Sequence, residues 1–265
     1  MLERVFGCSK PIIAMVHLPP LPGSPHYDAA GGVAAIVDAA GADLEKLQDG
    51  GVDAVMFGNE GDRPYLLKAT PESLAAMAAA ITAVKPMLKL PFGVDYLWDP
   101  VATVALAVAT GATFGREVMT GVYDADMGLW APDCAAAVRL RHQLGRDDLK
   151  LLYNINAEFA APLGGRNIAQ RAKSAVFSAL ADVVLVSGPM TGQAVATTDL
   201  EAVKQAVPGT PVFANTGVNR DNVRDILAVA DGCIVGTHFK VDGNTWNPVD
   251  GERVKRFMDV VEKAR

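Results

Sequence analysis

Short apolar, β-branched runs recur along the chain, each followed by a longer stretch with helical periodicity. The runs are Pro11–Val16, Asp53–Phe57, Phe92–Asp95, Thr113–Val118, Leu149–Ile155, Asp182–Val186, Pro211–Ala214 and Gly232–Val235. Their continuous rather than alternating apolar character predicts parallel strands buried on both faces. The intervening stretches carry helix start and stop signals. Thr70-Pro71-Glu72 offers an N-cap hydroxyl, a proline at the first helical position and an acid in the first turn, and Ala131-Pro132-Asp133 repeats this less strongly. Gly111 and Gly145 stand where a left-handed residue ends a helix. The phrases Gly51-Val-Asp-Ala, Gly111-Ala-Thr, Ala181-Asp-Val and Ala230-Asp-Gly open four of the strands, a weak self-similarity expected of a repeated βα unit.

Eight strands and about eight helices in 265 residues predict an α/β fold of the (β/α)₈ TIM-barrel type, a single domain over residues 1–265. The competing doubly wound sheet usually opens on a Gly-rich turn. Here the first turn is Val16-His-Leu-Pro-Pro-Leu-Pro-Gly23, stiffened by proline and without GxGxxG.

Composition narrows the class. Half of the residues are hydrophobic and 20% are charged, which excludes disorder and a coiled coil. With 24 basic against 30 acidic residues and a net charge of −6, nucleic acid is not an expected partner. The longest uncharged run, Val101–Gly115, is Ala-rich and broken by glycine, so no membrane insertion is expected. Three dispersed cysteines (Cys8, Cys134, Cys233) and no signal-peptide pattern point to a reducing cytoplasm.

In such a barrel, chemistry sits just after the carboxyl ends of the strands. The first five strands end near His17, Asn59, Glu60, Asp95, Arg116, Asn154, Asn156 and Glu158. Glu60, Asp95, Glu158 and His17 are the candidate catalytic residues, and Asn59, Arg116, Asn154 and Asn156 the candidate substrate contacts. Strand parity puts Asn154, Asn156 and Glu158 on one face, and lets at most one of Arg116 and Glu117 face the barrel. His17 would serve as a base or ligand, or be held structurally by a carbonyl. The last three strands end in Ser187-Gly188, Thr216-Gly217 and Gly236-Thr237, small residues that bring backbone N–H groups to an anion, and these are the candidate phosphate contacts. The oxygen ligands would suit Mg²⁺ or Mn²⁺, but no HxH or DxD triplet fixes a metal, and no cofactor is required. Lysines precede the strands, except Lys240, so a Schiff base is disfavoured. No GxSxG or Cys–His arrangement signals an acyl intermediate.

Pro11-Ile-Ile-Ala-Met-Val-His-Leu-Pro-Pro-Leu-Pro-Gly-Ser-Pro25, Gly50–Met56, Asn215-Thr-Gly-Val218, Ala230–Gly232, Val235-Gly-Thr237 and Asn247-Pro-Val-Asp250 together resemble the BtpA/SgcQ family. The resemblance covers nearly the whole chain and implies a phosphate-binding barrel of the ribulose-phosphate-binding kind. One branch is associated with photosystem I biogenesis, the other with sugar utilisation. The chain departs from the family pattern at two strand ends, reading Gly58-Asn-Glu-Gly-Asp62 for Glu-Asn-Phe-Gly-Asp and Gly93-Val-Asp95 for Gly-Val-Asn. The expected function is therefore an enzyme, an aldolase, isomerase or lyase, acting on a small phosphorylated sugar or sugar acid. The alternatives are an assembly or regulatory factor using the barrel as a scaffold, and a flavin-nucleotide (FMN) binder. A homo-oligomer is a further expectation from the barrel class.

Overall fold

The eight predicted runs are eight parallel strands: β1 (Ile12–His17), β2 (Ala54–Gly58), β3 (Phe92–Asp95), β4 (Phe114–Glu117), β7 (Lys150–Asn154), β9 (Val183–Val186), β10 (Val212–Ala214) and β11 (Cys233–Val235). In the computed structural model, which describes residues 1–265, each pairs with the next, and β1 closes the ring through Ile12 opposite Cys233 and Ile13 opposite Ala54. Eight helices cover the outside: α2 (Gly32–Asp49), α3 (Pro71–Val84), α4 (Pro100–Thr110), α5 (Cys134–Gln143), α6 (Ile168–Phe177), α7 (Thr197–Ala206), α8 (Val223–Val229) and α9 (Gly251–Glu262). The fold is a TIM barrel.

The repeated strand-opening phrase has a physical cause. Asp53, Asp182 and Asp231 each stand just ahead of a strand, β2, β9 and β11 in turn. Each donates its backbone N–H to the carbonyl of a residue at the start of a neighbouring strand (Ile12, Leu151, Val212). Each also accepts that residue's N–H on a carboxylate oxygen, at 2.8, 3.0 and 2.8 Å. The reciprocal pair satisfies backbone groups the ladder has not yet reached, and so sets register at the barrel's base. Helix starts follow the same logic. Thr70 caps α3 and Asp133 caps α5, while Asp99 accepts from Val101 and Ala102 ahead of Pro100 on α4.

Parity divides each strand between two cores. Outward residues join one large cluster with the helices. Inward residues, among them Ile13, Met56, Phe114, Leu152, Leu185 and Phe213, fill the barrel, so it is packed rather than hollow. A short helix, α1 (Leu2–Phe6), seals the base, its Phe6 ring 5.2 Å from Phe114 and 6.2 Å from Phe213. Gly93 is the strand residue this filling demands, because a Cβ there would lie inside the Phe114 ring. Gly93→Ala is expected to cost about 1–3 kcal/mol by overpacking, read as a lowered midpoint in urea unfolding. A companion Phe114→Leu should relieve it, and an unchanged midpoint in the single variant would contradict this account.

The sequence pattern leaves the segment after β4 as a loop. Instead it forms β5 (Tyr123–Ala125) and β6 (Gly128–Trp130), which join β8 (Ala160–Pro162) from the loop after β7 in a small antiparallel sheet over one side of the mouth. Three-residue strands carry too little periodicity to be read alone. Tyr123 and Trp130 pack with Trp98 in an aromatic cluster beneath this sheet.

Candidate active site

The inward parity that packs the lower barrel places polar side chains at its top. Asp95 and Arg116 stand at the carboxyl ends of adjacent strands and form a buried ion pair, Arg116 through one terminal nitrogen. Its other terminal nitrogen donates to Asn215 Oδ1 at 3.0 Å. Asn215 in turn donates to Ser187 Oγ at 2.7 Å and to Glu158 Oε1 at 3.4 Å, and Thr191 Oγ1 donates to Glu158 Oε2 at 2.9 Å. A polar chain thus crosses the mouth from β3 to the loop after β9. On the facing side, His17 Nε2 lies 3.3 Å from Glu60 Oε1.

Burial controls the protonation of these groups. Desolvation pushes Glu60 up to about 8, with nearby Arg116 opposing and Asp95 adding to the rise. Desolvation likewise holds His17 well below its ordinary range, helped by the positive charges of Lys240 and Arg116. At neutral pH burial therefore favours a protonated Glu60 carboxyl facing a neutral imidazole. Asp95 is pushed up to about 6 by burial against the pull of Arg116, and Glu158 is also raised by burial. The neighbouring carboxylates raise Arg116 further, so it stays a cation.

These groups border one cavity of about 220 Å³. His17, Glu60, Arg116 and Glu158 line it together with Thr216–Asn219, Gly236–His238, Gly192 and Arg253. The N–H groups of Gly217, Val218, Thr237 and His238 enter none of the fold's hydrogen bonds. Three further polar atoms of the lining, His17 Nδ1, Glu60 Oε2 and Trp98 Nε1, are buried without a partner. Such groups are rare in a finished interior and mark a place where a ligand or water completes the bonding.

The remaining predicted residues hold loops in place. Asn59 accepts from Leu97 N at 2.7 Å and donates to Asp62, which accepts from Leu21 N at 2.6 Å, so it ties the loops after β1, β2 and β3 together. Gly61 lets the Pro19-Pro20 turn approach, since a Cβ would fall 2.6 Å from Pro20 N. Parity fails after Asn154, where β7 ends. Asn156 clasps the backbone of Ser187 by both amide atoms, and Asn154 Oδ1 accepts from Asn156 N at 3.3 Å. Glu158 lines the cavity beside Phe159, which stands at φ 56°. The Thr216 hydroxyl accepts from Gly188 N at 2.5 Å and donates to Gln193 O at 2.9 Å, so it is engaged within the fold. Lys240 is buried against Asp43 at 2.7 Å, away from the cavity. Nowhere do three His, Cys, Asp or Glu side chains converge as metal ligands, and Arg116 already covers Asp95.

Among known proteins, the BtpA family model matches residues 8–263. The chain belongs to the BtpA family. It is 47% identical to the sgc region protein SgcQ of Escherichia coli K12, over all of this chain and 98% of that one. It is 31% identical to the photosystem I biogenesis protein BtpA of Synechocystis, over 99% of this chain and 92% of that one. Among solved structures, the barrel is similar to phosphoribosyl anthranilate isomerase from Thermus thermophilus, with a TM-score of 0.59 and 12% identity over 96% of this chain and all of that one. That likeness speaks for the fold alone.

Strand ends reveal some lining residues of this BtpA-family barrel only in part and others not at all. Asn215 ends its strand with inward parity and is legible as part of Asn215-Thr-Gly, yet only the fold places it against Arg116, 99 residues away. Tyr65 and Trp98 come from loops, and Arg253 from α9, where its Nε donates to His238 O at 2.7 Å. A helix following the last strand gives no hint that one of its residues turns into the mouth. No helix of the chain is long and apolar enough to cross a membrane.

Proposed function

We propose that this protein is an enzyme that moves a proton on a small phosphorylated sugar or sugar acid, in an isomerase or aldol-type lyase reaction. The observation that carries the reading is a single cavity lined by the His17–Glu60 pair, by a buried arginine and by two loops whose backbone N–H groups are unpaired. The phosphate sits against Gly217, Val218, Thr237 and His238, where N–H groups and glycine backbone accept an anion closely. Its carbon chain then extends toward Glu60 and Arg116.

Neutral His17 removes a proton from the carbon beside the carbonyl, and protonated Glu60 supplies one to the developing oxyanion. Arg116, fixed as a cation by Asp95, stabilises that oxygen in a site from which water is largely excluded. No lysine reaches the cavity to form a Schiff base.

Thermal unfolding against aldose and ketose phosphates, the free sugars and inorganic phosphate tests the reading. A ligand at 100 times its Kd adds about 2.7 kcal/mol, which for a chain of this size raises Tm by roughly 5–10 °C. The expected result is a rise with sugar phosphates and none with free sugars; a flat panel removes the phosphate pocket.

A scaffold reading is favoured by one separate observation. Phe177, at the end of α6, is 88% exposed and Leu180, in the turn before β9, is 56% exposed, at the barrel end away from the mouth. A partner docking there would be indifferent to Glu60 and Arg116, so the variants described in the Discussion separate the two readings.

A further inference from the structure

We infer that the phosphate end of the ligand is a diphosphate, with its inner phosphate on the loops at Gly217 and Thr237 and its outer phosphate among Arg220, Arg253 and Arg256. This rests on the phosphate placement proposed above and adds a second anion seat beside it.

A cavity of about 200 Å³ adjoins the first and shares His238 and Arg253 with it. Its other walls are Arg220, Asp221 and Arg256, so no apolar side chain lines it. In a chain of net charge −6, three arginines meet here against one carboxylate. That carboxylate is a weak partner, since Asp221 lies 3.9 Å from Arg220 and its side chain is 92% exposed. Arg253 and Arg256 take part in none of the chain's ion pairs. Converging cations repel one another, and their summed field draws an anion into the space between them. Guanidinium groups suit phosphate in particular, because their planar fork meets two of its oxygens at once.

Two elements build the cluster. Arg253 and Arg256 stand three residues apart on α9, hence on one face, and Arg220 comes from the loop after β10. Arg253 is held in place: its Nε donates to His238 O at 2.7 Å, and one terminal nitrogen donates to His238 Nδ1 at 3.4 Å. Burial and the charge of Arg253 push His238 down to about 4, so the ring is neutral and accepts this bond. The other terminal nitrogen of Arg253 has no partner in the fold. His238 and Arg253 thus border both cavities, with an unpaired backbone N–H for the inner phosphate and a guanidinium between the two seats. Seats that share walls fit phosphates joined to each other rather than placed at opposite ends of a sugar. A diphosphate at one end also leaves the carbonyl end free for proton transfer at His17 and Glu60.

Isothermal titration at physiological salt with inorganic phosphate and inorganic pyrophosphate tests this. Pyrophosphate is expected to bind at least about tenfold more tightly than phosphate, and to compete with whichever sugar phosphate raises Tm most. Arg220→Gln and Arg256→Gln, both at exposed side chains, should each remove most of that gain and leave phosphate affinity unchanged. Arg224→Gln, on α8 outside the cavity, removes the same charge and should change neither. Equal affinity of the two anions, or an equal loss in Arg224→Gln, overturns the second seat and leaves the phosphosugar reading standing. Pyrophosphate bound alongside the sugar phosphate without competition overturns the diphosphate and makes the arginine cluster a separate anion site. Failure of phosphate, pyrophosphate and every sugar phosphate to bind overturns both readings.

Discussion

Glu60→Gln is expected to lower proton transfer on the bound sugar phosphate by roughly 10²–10⁴-fold. Exchange of solvent deuterium into the substrate carbon, followed by NMR, measures this whatever product forms. Glutamine has nearly the shape of the protonated acid and can still bond to His17, but it cannot give up or regain a proton. The same variant alters the pH dependence of stability. Glu60 ionises near its ordinary 4.5 when unfolded and at about 8 when folded. Between those values the folded chain holds a proton that the unfolded chain has released, so the parent protein loses stability as pH rises from 4.5 to about 8. Asp95, raised to about 6, adds to the slope in the lower part of that window. Glu60→Gln removes its share, and its Tm should gain on the parent's steadily between about pH 5 and 8.5. A difference in Tm that stays constant with pH would show that the Glu60 carboxyl is not held neutral, and unchanged exchange would remove it from the chemistry.

Arg116→Met should be the most destabilising substitution in the mouth. It leaves Asp95 fully buried with no counter-charge and strips Asn215 of the donor to its carbonyl oxygen. Breaking a buried pair by removing one partner costs about 3–5 kcal/mol, which for a chain this long is a fall in Tm on the order of 10 °C. Two controls give the cause. Adding Asp95→Asn should recover a large part of the loss, because an uncharged amide needs no cation, and the non-additivity measures the coupling. Lowering the pH below about 6 should also shrink the deficit, since Asp95 then takes up a proton in the parent protein as well. If the double variant is no more stable than the single, the guanidinium acts through packing and not through charge.

These two residues show how unevenly the site can be read. Glu60 and Arg116 follow from one rule, that strand ends at the carboxyl face carry the chemistry, and both line the cavity with His17 and Glu158. Asn59, Asn154 and Asn156 satisfy the same rule, yet their amides bind the backbone of neighbouring loops. Nothing local separates the two outcomes. An amide is as good a partner for a loop's N–H as for a ligand's hydroxyl, and only the distance to the next loop decides.

By itself the sequence determined the eight strands, their parallel order, the helix caps and the family, because these rest on short-range patterns: apolar runs, capping residues, and the Asp that precedes a strand. Only the tertiary structure decided which polar side chains converge. The Asp95–Arg116–Asn215–Glu158 chain, the contact of Glu60 with His17, and the small sheet over the mouth all join residues far apart in the chain. Their protonation depends on how completely closure of the barrel removes water from them. That is a property of the assembled ring, and no segment of the chain carries it alone.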